Sequence, residues 1–171
     1  PLKIPLKAVS VCRFFDKRDD YLKYVGAEFE WTGGLWTPHQ KELVISPFDW
    51  ASRSDNRKIM IDITYHESFH QYLHYAVGEA MSSIWFNEGN AAFFEGVNFR
   101  GGGKVEINLT ERLNSMKSLA SSAIDIKKFI GISHEEFVEK SSVTKNYALA
   151  WGLMFFLQKG SQIIKGKNNY Y

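Results

Sequence analysis

Five consecutive residues, His66-Glu67-Ser68-Phe69-His70, carry the side chains of this chain best suited to chemistry. If they lie in a helix, His66 and His70 stand one turn apart on the same face. Two imidazoles so placed can converge on one tetrahedral zinc ion at about 2.0–2.1 Å. Glu67 falls about 100° further round the helix, where it can reach a metal-bound water without taking a ligand position. Metal-assisted hydrolysis needs that arrangement. Three fixed identities in five positions also arise by chance, and histidines on an apolar stripe can be ordinary hydrogen-bonded core residues. The pattern therefore needs support elsewhere.

Support comes from Trp85-Phe86-Asn87-Glu88-Gly89-Asn90-Ala91-Ala92-Phe93-Phe94-Glu95. A catalytic zinc usually takes three protein ligands and leaves a fourth position to water. Glu88 can supply the third ligand from a second helix, and the small Ala91 and Ala92 would let two helices approach closely. The other reading of Glu88 is a first-turn acid favoured by the helix dipole. His74 extends the stripe, but its Cα would lie roughly 12 Å along the axis from His66. Three such imidazoles cannot share one ion through bonds near 2 Å. We expect His74 beside the site, facing substrate, or at the surface. His39 and His134 carry no readable role.

The elements that must position these residues follow from periodicity. Ile59, Ile63, His66, His70, Leu73 and Val77 recur at spacings of three and four, predicting a helix from Asp55 or Asn56 that Gly78 ends. Ahead of it, Ala8 to Phe15 reads as a strand with Val9, Val11 and Arg13 on one face. Asp16 can cap a helix over Lys17 to Val25, which Gly26 would end. Ala27 to Trp36 suggests extended structure bent at Gly33 and Gly34, and Glu42 to Ser46 a further strand. Beyond the long helix, Phe86 to Phe94 reads as a helix stopped by Gly96. Gly101 to Gly103 makes a turn and Lys104 to Leu109 a strand. Lys104 is followed by Val105 with no Walker pattern around it, so this is no phosphate loop. Helices are expected at Thr110 to Ser121, Ile124 to Ile130, Ser133 to Lys140 and Val143 to Gln158, the last stopped by Lys159 and Gly160. Sheet first and helices after argues for α+β.

At 171 residues, 44% hydrophobic, the chain fits one folded domain with a sizeable core. We expect a single domain over residues 1–171, sheet-rich over 1–50 and helical over 55–160, forming a piece of a longer protein. A formal charge of +2, with basic residues scattered among acidic ones, gives no footprint for nucleic acid or an anionic membrane. The longest apolar run, Tyr147 to Leu157, covers eleven positions, whereas a membrane span needs roughly 20. It predicts a buried helix instead. Cys12 is the only cysteine, which excludes an internal disulfide and a cysteine metal site. Its strand-like neighbours predict a small buried hydrophobe rather than a nucleophile. Asn108-Leu109-Thr110 matches a glycosylation sequon, meaningful only in a eukaryotic secretory pathway.

The joined blocks resemble the gluzincin metallopeptidases, and most closely the peptidase-MA-like domains of poorly characterised bacterial proteins. Those domains pair an HExxH helix with a downstream helix of the type Trp-hydrophobic-x-Glu-Gly-x-Ala, matched here over Trp85 to Glu95. Asn146-Tyr147-Ala148-Leu149-Ala150-Trp151-Gly152-Leu153 is similar to the family's late helix, and Gly34-Leu35-Trp36 and Leu43-Val44-Ile45 match more loosely. Only the HExxH and Glu-Gly blocks are specific.

The resemblance implies a zincin-like fold, with a small mixed or antiparallel sheet over the HExxH helix. It implies one Zn²⁺ ion held by His66, His70 and Glu88, Glu67 as catalytic acid/base, and Tyr147 as a hydroxyl aimed at the oxyanion. It implies a peptide or protein substrate pairing along a sheet edge, for which Gly33 to Trp36 or Glu42 to Ser46 is the candidate. A bacterial extracytoplasmic or secreted setting would fit. Seventeen residues separate His70 from Glu88, slightly fewer than in thermolysin-like relatives, so the turn between them must be tight. No Gly-x-Met-x-Asn strand is present, which favours an endopeptidase over an aminopeptidase. Where some relatives carry an acid one turn after Glu88, this chain has Ala92; Asp62 or Glu95 could take that orienting role. The competing expectations are a catalytically silent zincin-like binding or scaffolding module, and a hydrolase acting on a non-peptide amide.

Overall fold

The computed structural model describes residues 11–47, 56–77, 82–107, 110–119 and 123–167. They fall into two compact units, Pro1–Ala80 and Met81–Tyr171. The architecture is α+β, with sheets of two and three strands and a mainly helical second half.

The first unit holds β1 (Val11–Phe14), α1 (Arg18–Val25), β2 (Gly34–Thr37), β3 (Glu42–Ile45) and α2 (Asn56–Val77). Strand order is β1-β3-β2, with β3 parallel to β1 and antiparallel to β2. As the central strand, β3 buries Leu43, Val44 and Ile45 in succession, as a strand covered on both faces does. Of the two candidate edges, only the Gly33 to Trp36 region is therefore an outer strand; Glu42 to Ser46 is not.

Cys12 corrects a further expectation. It lies exposed on β1, because β1 is the other outer strand and all four of its residues are exposed. The helix α1 starts one residue later than expected, with Lys17 rather than Asp16 at its cap and no side-chain cap bond. Asp19 and Asp20 supply the first-turn negative charge instead. Ala27–Phe29 forms a single 3-10 turn after Gly26, whose φ of 105° suits glycine. Extended structure begins only at Gly34.

Arg18 organises this loop. Its guanidinium donates to the carbonyls of Thr32 (2.9 Å) and Glu30 and to Ser46 Oγ (2.5 Å), and it lies over the Tyr21 ring at 4.8 Å. Tyr21 is fully buried, and its hydroxyl bonds Thr32 Oγ1 at 2.6 Å. On the other side of the sheet's root, Glu42 accepts two bonds from Arg13 (3.0 and 2.8 Å) and one from Tyr24 (2.5 Å). Those bonds hold its carboxyl well below the usual range, at about 2.

Gly34 decides how closely α2 meets this sheet. A Cβ there would lie 2.9 Å from Ile63 Cγ2 and 3.0 Å from both Ile45 Cδ1 and the Val44 carbonyl oxygen. Only glycine leaves room for the helix at that distance.

The second unit comprises α3 (Ile84–Glu95), β4 (Val97–Arg100), β5 (Lys104–Ile107), α4 (Thr110–Leu119), α5 (Ile126–Phe129), α6 (His134–Val138) and α7 (Val143–Lys167). The antiparallel β4–β5 hairpin turns through Gly101–Gly103. Its first strand was not anticipated, because it is only four residues long and follows directly on the helix stop at Gly96. The helices α3 and α7 pack together at Gly89, where a Cβ would sit 2.5 Å from the Ala150 carbonyl oxygen. Ala91, Ala92, Ala148 and Ala150 are buried. Asn90 bonds the Phe86 carbonyl (2.8 Å) and accepts from Gln158 (3.0 Å), tying α3 to α7 by polar contact as well.

The helix α7 runs to Lys167 and does not stop at Lys159-Gly160. A glycine inside a helix costs only about 1 kcal/mol and does not break the hydrogen-bond ladder. The helices expected at Ile124 to Ile130 and Ser133 to Lys140 are shorter, and α6 opens on a capping box between Ser133 and Glu136. The expectations for Val9, Asp55, Gly78, the Asn108-Leu109 part of the sequon and the end of the Thr110 helix beyond Leu119 lie outside the described residues.

Candidate metal centre

The helix α2 brings His66, Glu67 and His70 together. Each offers one ligand atom, and the three atoms lie within 4.8 Å of one another. The two imidazole rings sit 4.7 Å apart, centre to centre, at 77°. All three side chains are half-buried. The set, two imidazoles and a carboxylate, can hold a metal ion. It arises because spacing in sequence converts directly into neighbourhood on a helix.

α2 tolerates these polar groups by satisfying others internally. Thr64 Oγ1 donates to the Met60 carbonyl at 2.7 Å, and Ser68 Oγ to the Thr64 carbonyl at 2.6 Å. Lys58 pairs with Asp62 one turn along.

Glu67 also makes a contact that the sequence did not announce. Its Oε2 accepts the main-chain N–H of Trp36, on β2, at 2.7 Å. Farther along the same helix, the Trp36 ring lies 5.8 Å from His74 and 5.9 Å from Tyr75. His74 is thus an aromatic packing partner of Trp36 and lies outside the His66–Glu67–His70 group. Gln71, between these contact points on α2, is buried, and neither its Nε2 nor the Trp36 indole N–H has an acceptor among the described residues. Behind the site, burial pushes the Tyr21 hydroxyl pKa up; the Glu67 charge adds to that shift, and the Thr32 bond and Arg18 oppose it.

Of the remaining candidates, all but His39 lie in the second unit. Glu88 is half-buried in the first half of α3, next to the Gly89 contact. Tyr147 is half-buried near the start of α7, its ring 5.1 Å from Phe137 and packed on the Phe129, Phe137, Leu149 and Ala150 cluster. Glu95 pairs with Arg112 on α4. His39 is exposed in the β2–β3 turn and His134 is exposed at the start of α6.

The Trp36 N–H is the contributor that residue-type reasoning missed. A main-chain donor leaves no mark in residue identity.

Residues 60–163 match the model of a family described as "Protein of unknown function (DUF1570)". The match takes in the HExxH segment, Glu88 and Tyr147. No curated protein and no solved structure matches the chain.

Proposed function

We propose that this chain, which belongs to the DUF1570 family, is a zinc-dependent hydrolase of peptide bonds, acting as an endopeptidase. The observation that carries the reading is the clustering of His66, Glu67 and His70 ligand atoms within 4.8 Å on one half-buried helix. His66 and His70 would hold the ion through neutral imidazoles, so acid releases it. When bound, the metal supplies a coordinated water with its pKa lowered towards ~7 and a Lewis acid for the scissile carbonyl. Glu67 takes the proton of the attacking water on a carboxylate oxygen and delivers it to the leaving amine. Glu88 as third ligand and Tyr147 as oxyanion donor are carried by the sequence pattern. The outward main-chain groups of Gly34 and the Trp36 carbonyl, on the outer strand β2, offer an extended substrate a strand to pair with.

Elemental analysis of the purified chain tests the metal: about one zinc per wild-type chain, lost in His66→Ala and reduced in Glu88→Gln. Glu67→Ala is expected to keep its zinc and lose about 10²–10⁴-fold in peptide cleavage. No zinc in the wild type, even when it is added at neutral pH, would sink the hydrolase reading and leave a silent binding module.

A further inference from the structure

Main-chain groups on β2 alternate in direction. Ser46 N–H donates to the Gly33 carbonyl at 2.9 Å, and the register pairs Leu35 with Val44 and Thr37 with Glu42. In an antiparallel pair, residues 33, 35 and 37 therefore point their N–H and C=O groups at β3, whereas 34 and 36 point theirs away. Since β2 is an outer strand, these outward groups pair with no strand among the described residues. The Trp36 N–H is bonded to Glu67 Oε2 instead, at 2.7 Å.

We propose that the main-chain N–H of Trp36 is the positioning group of the Glu67 carboxylate. One oxygen is moored on the edge strand and the other is left for proton transfer. The catalytic meaning of this mooring rests on the hydrolase reading; the mooring itself does not. Three contacts fix strand against helix, and the first two advance together along both elements. Gly34 meets Ile63, the Trp36 N–H meets Glu67, and the Trp36 ring meets His74 and Tyr75. Four helix residues rise about 6 Å and two strand residues about 6.6 Å, so the Gly34–Ile63 and Trp36–Glu67 contacts stay in step. A glutamate side chain free to rotate would have to be ordered at each turnover. A bond from a neutral N–H to its charged oxygen removes that freedom beforehand. An extended peptide that pairs with β2 would then stiffen the strand that holds the base.

Proline separates the N–H from the side chain. Trp36→Ala and Trp36→Pro both remove the ring, and only the second removes the donor. Proline is tolerated on an outer strand where the N–H points outward. The first readout needs no substrate. In the zinc-free full chain, hydrogen exchange at the Trp36 amide is expected to be at least about tenfold faster in Glu67→Ala than in wild type, with the Leu35 and Val44 amides unchanged. Equal rates at Trp36 overturn the mooring. The second readout uses the best-cleaved member of a quenched fluorescent peptide library. The kcat of Trp36→Pro is expected to fall about tenfold or more below that of Trp36→Ala, with KM and zinc content the same in both. Equal kcat values overturn the positioning role even where the mooring holds. Slow Leu35 and Val44 exchange in Trp36→Pro verifies that β2 stays paired; if proline unzips it, the Glu67→Ala comparison decides. A wild-type chain with neither zinc nor cleavage overturns the hydrolase reading, and the exchange result tells that failure from a failed mooring.

Discussion

The helices α2 and α3 are used in opposite ways. Every residue of α2 from Ile61 to His70 is half-buried, and Gln71 is the one fully buried residue of that helix. On α3, five residues in a row, Gly89 to Phe93, are buried. The difference follows from what each helix carries. Imidazoles and a carboxylate cannot be sunk into a core without losing hydration that only new partners repay. α3 instead presents small residues, and its single polar core side chain, Asn90, is bonded at both its amide nitrogen and its oxygen. Damage to α3 should therefore be felt in stability, and damage to the face of α2 in chemistry.

The largest stability effect is expected at Gly89→Val. The new Cβ would fall 2.5 Å from a carbonyl oxygen of α7, and main chain cannot swing aside as a side-chain tip can. A loss of about 3 kcal/mol in urea unfolding is expected. Gly34→Ala comes next, at about 1–2 kcal/mol, because two of the close neighbours of its Cβ are side-chain methyls that can partly yield, at 2.9 and 3.0 Å, and the main-chain oxygen of Val44 stands farther off, at 3.0 Å, than that of Ala150 from Gly89. Ile45→Val, which removes the Cδ1 methyl 3.0 Å from that Cβ, should recover part of that loss in a double-mutant cycle. If Gly34→Ala proved costlier than Gly89→Val, the contrast between the helices would be inverted.

The smallest effect belongs to the exposed edge of the first unit. Glu42 titrates at about 2 in the folded chain, below the ordinary carboxylate value, chiefly through the Arg13 hydrogen bonds and then the Tyr24 bond. Its contribution is present above about pH 4.5 and fades as pH falls through about 2. Arg13→Gln should lower stability slightly at pH 7 and leave it unchanged near pH 2, so that the stability curve flattens between about pH 4.5 and 2.

The HExxH grouping was legible because helix geometry is local: residues four apart become neighbours whatever the rest of the chain does. Positions set by distant pairing were not. Cys12 sits in a strand as its neighbours suggest, but nothing nearby in sequence says that the strand lies outermost. Likewise, Glu42 to Ser46 and Gly33 to Trp36 read alike, and only the β1-β3-β2 order makes one central and the other an edge. β4 escaped notice because it is only four residues long, and the end of α7 because a glycine that can stop a helix need not do so. The Trp36–Glu67 contact is the extreme case, since every residue but proline carries the same N–H.

Arg18 joins three stretches of chain that are far apart in sequence: its own helix, the loop carbonyls of Glu30 and Thr32, and Ser46 after β3. None of the three can open without breaking bonds held by the other two. Amides of α1 and of the 27–33 loop should therefore fluctuate open as one cooperative unit, on a shared clock, rather than fraying residue by residue.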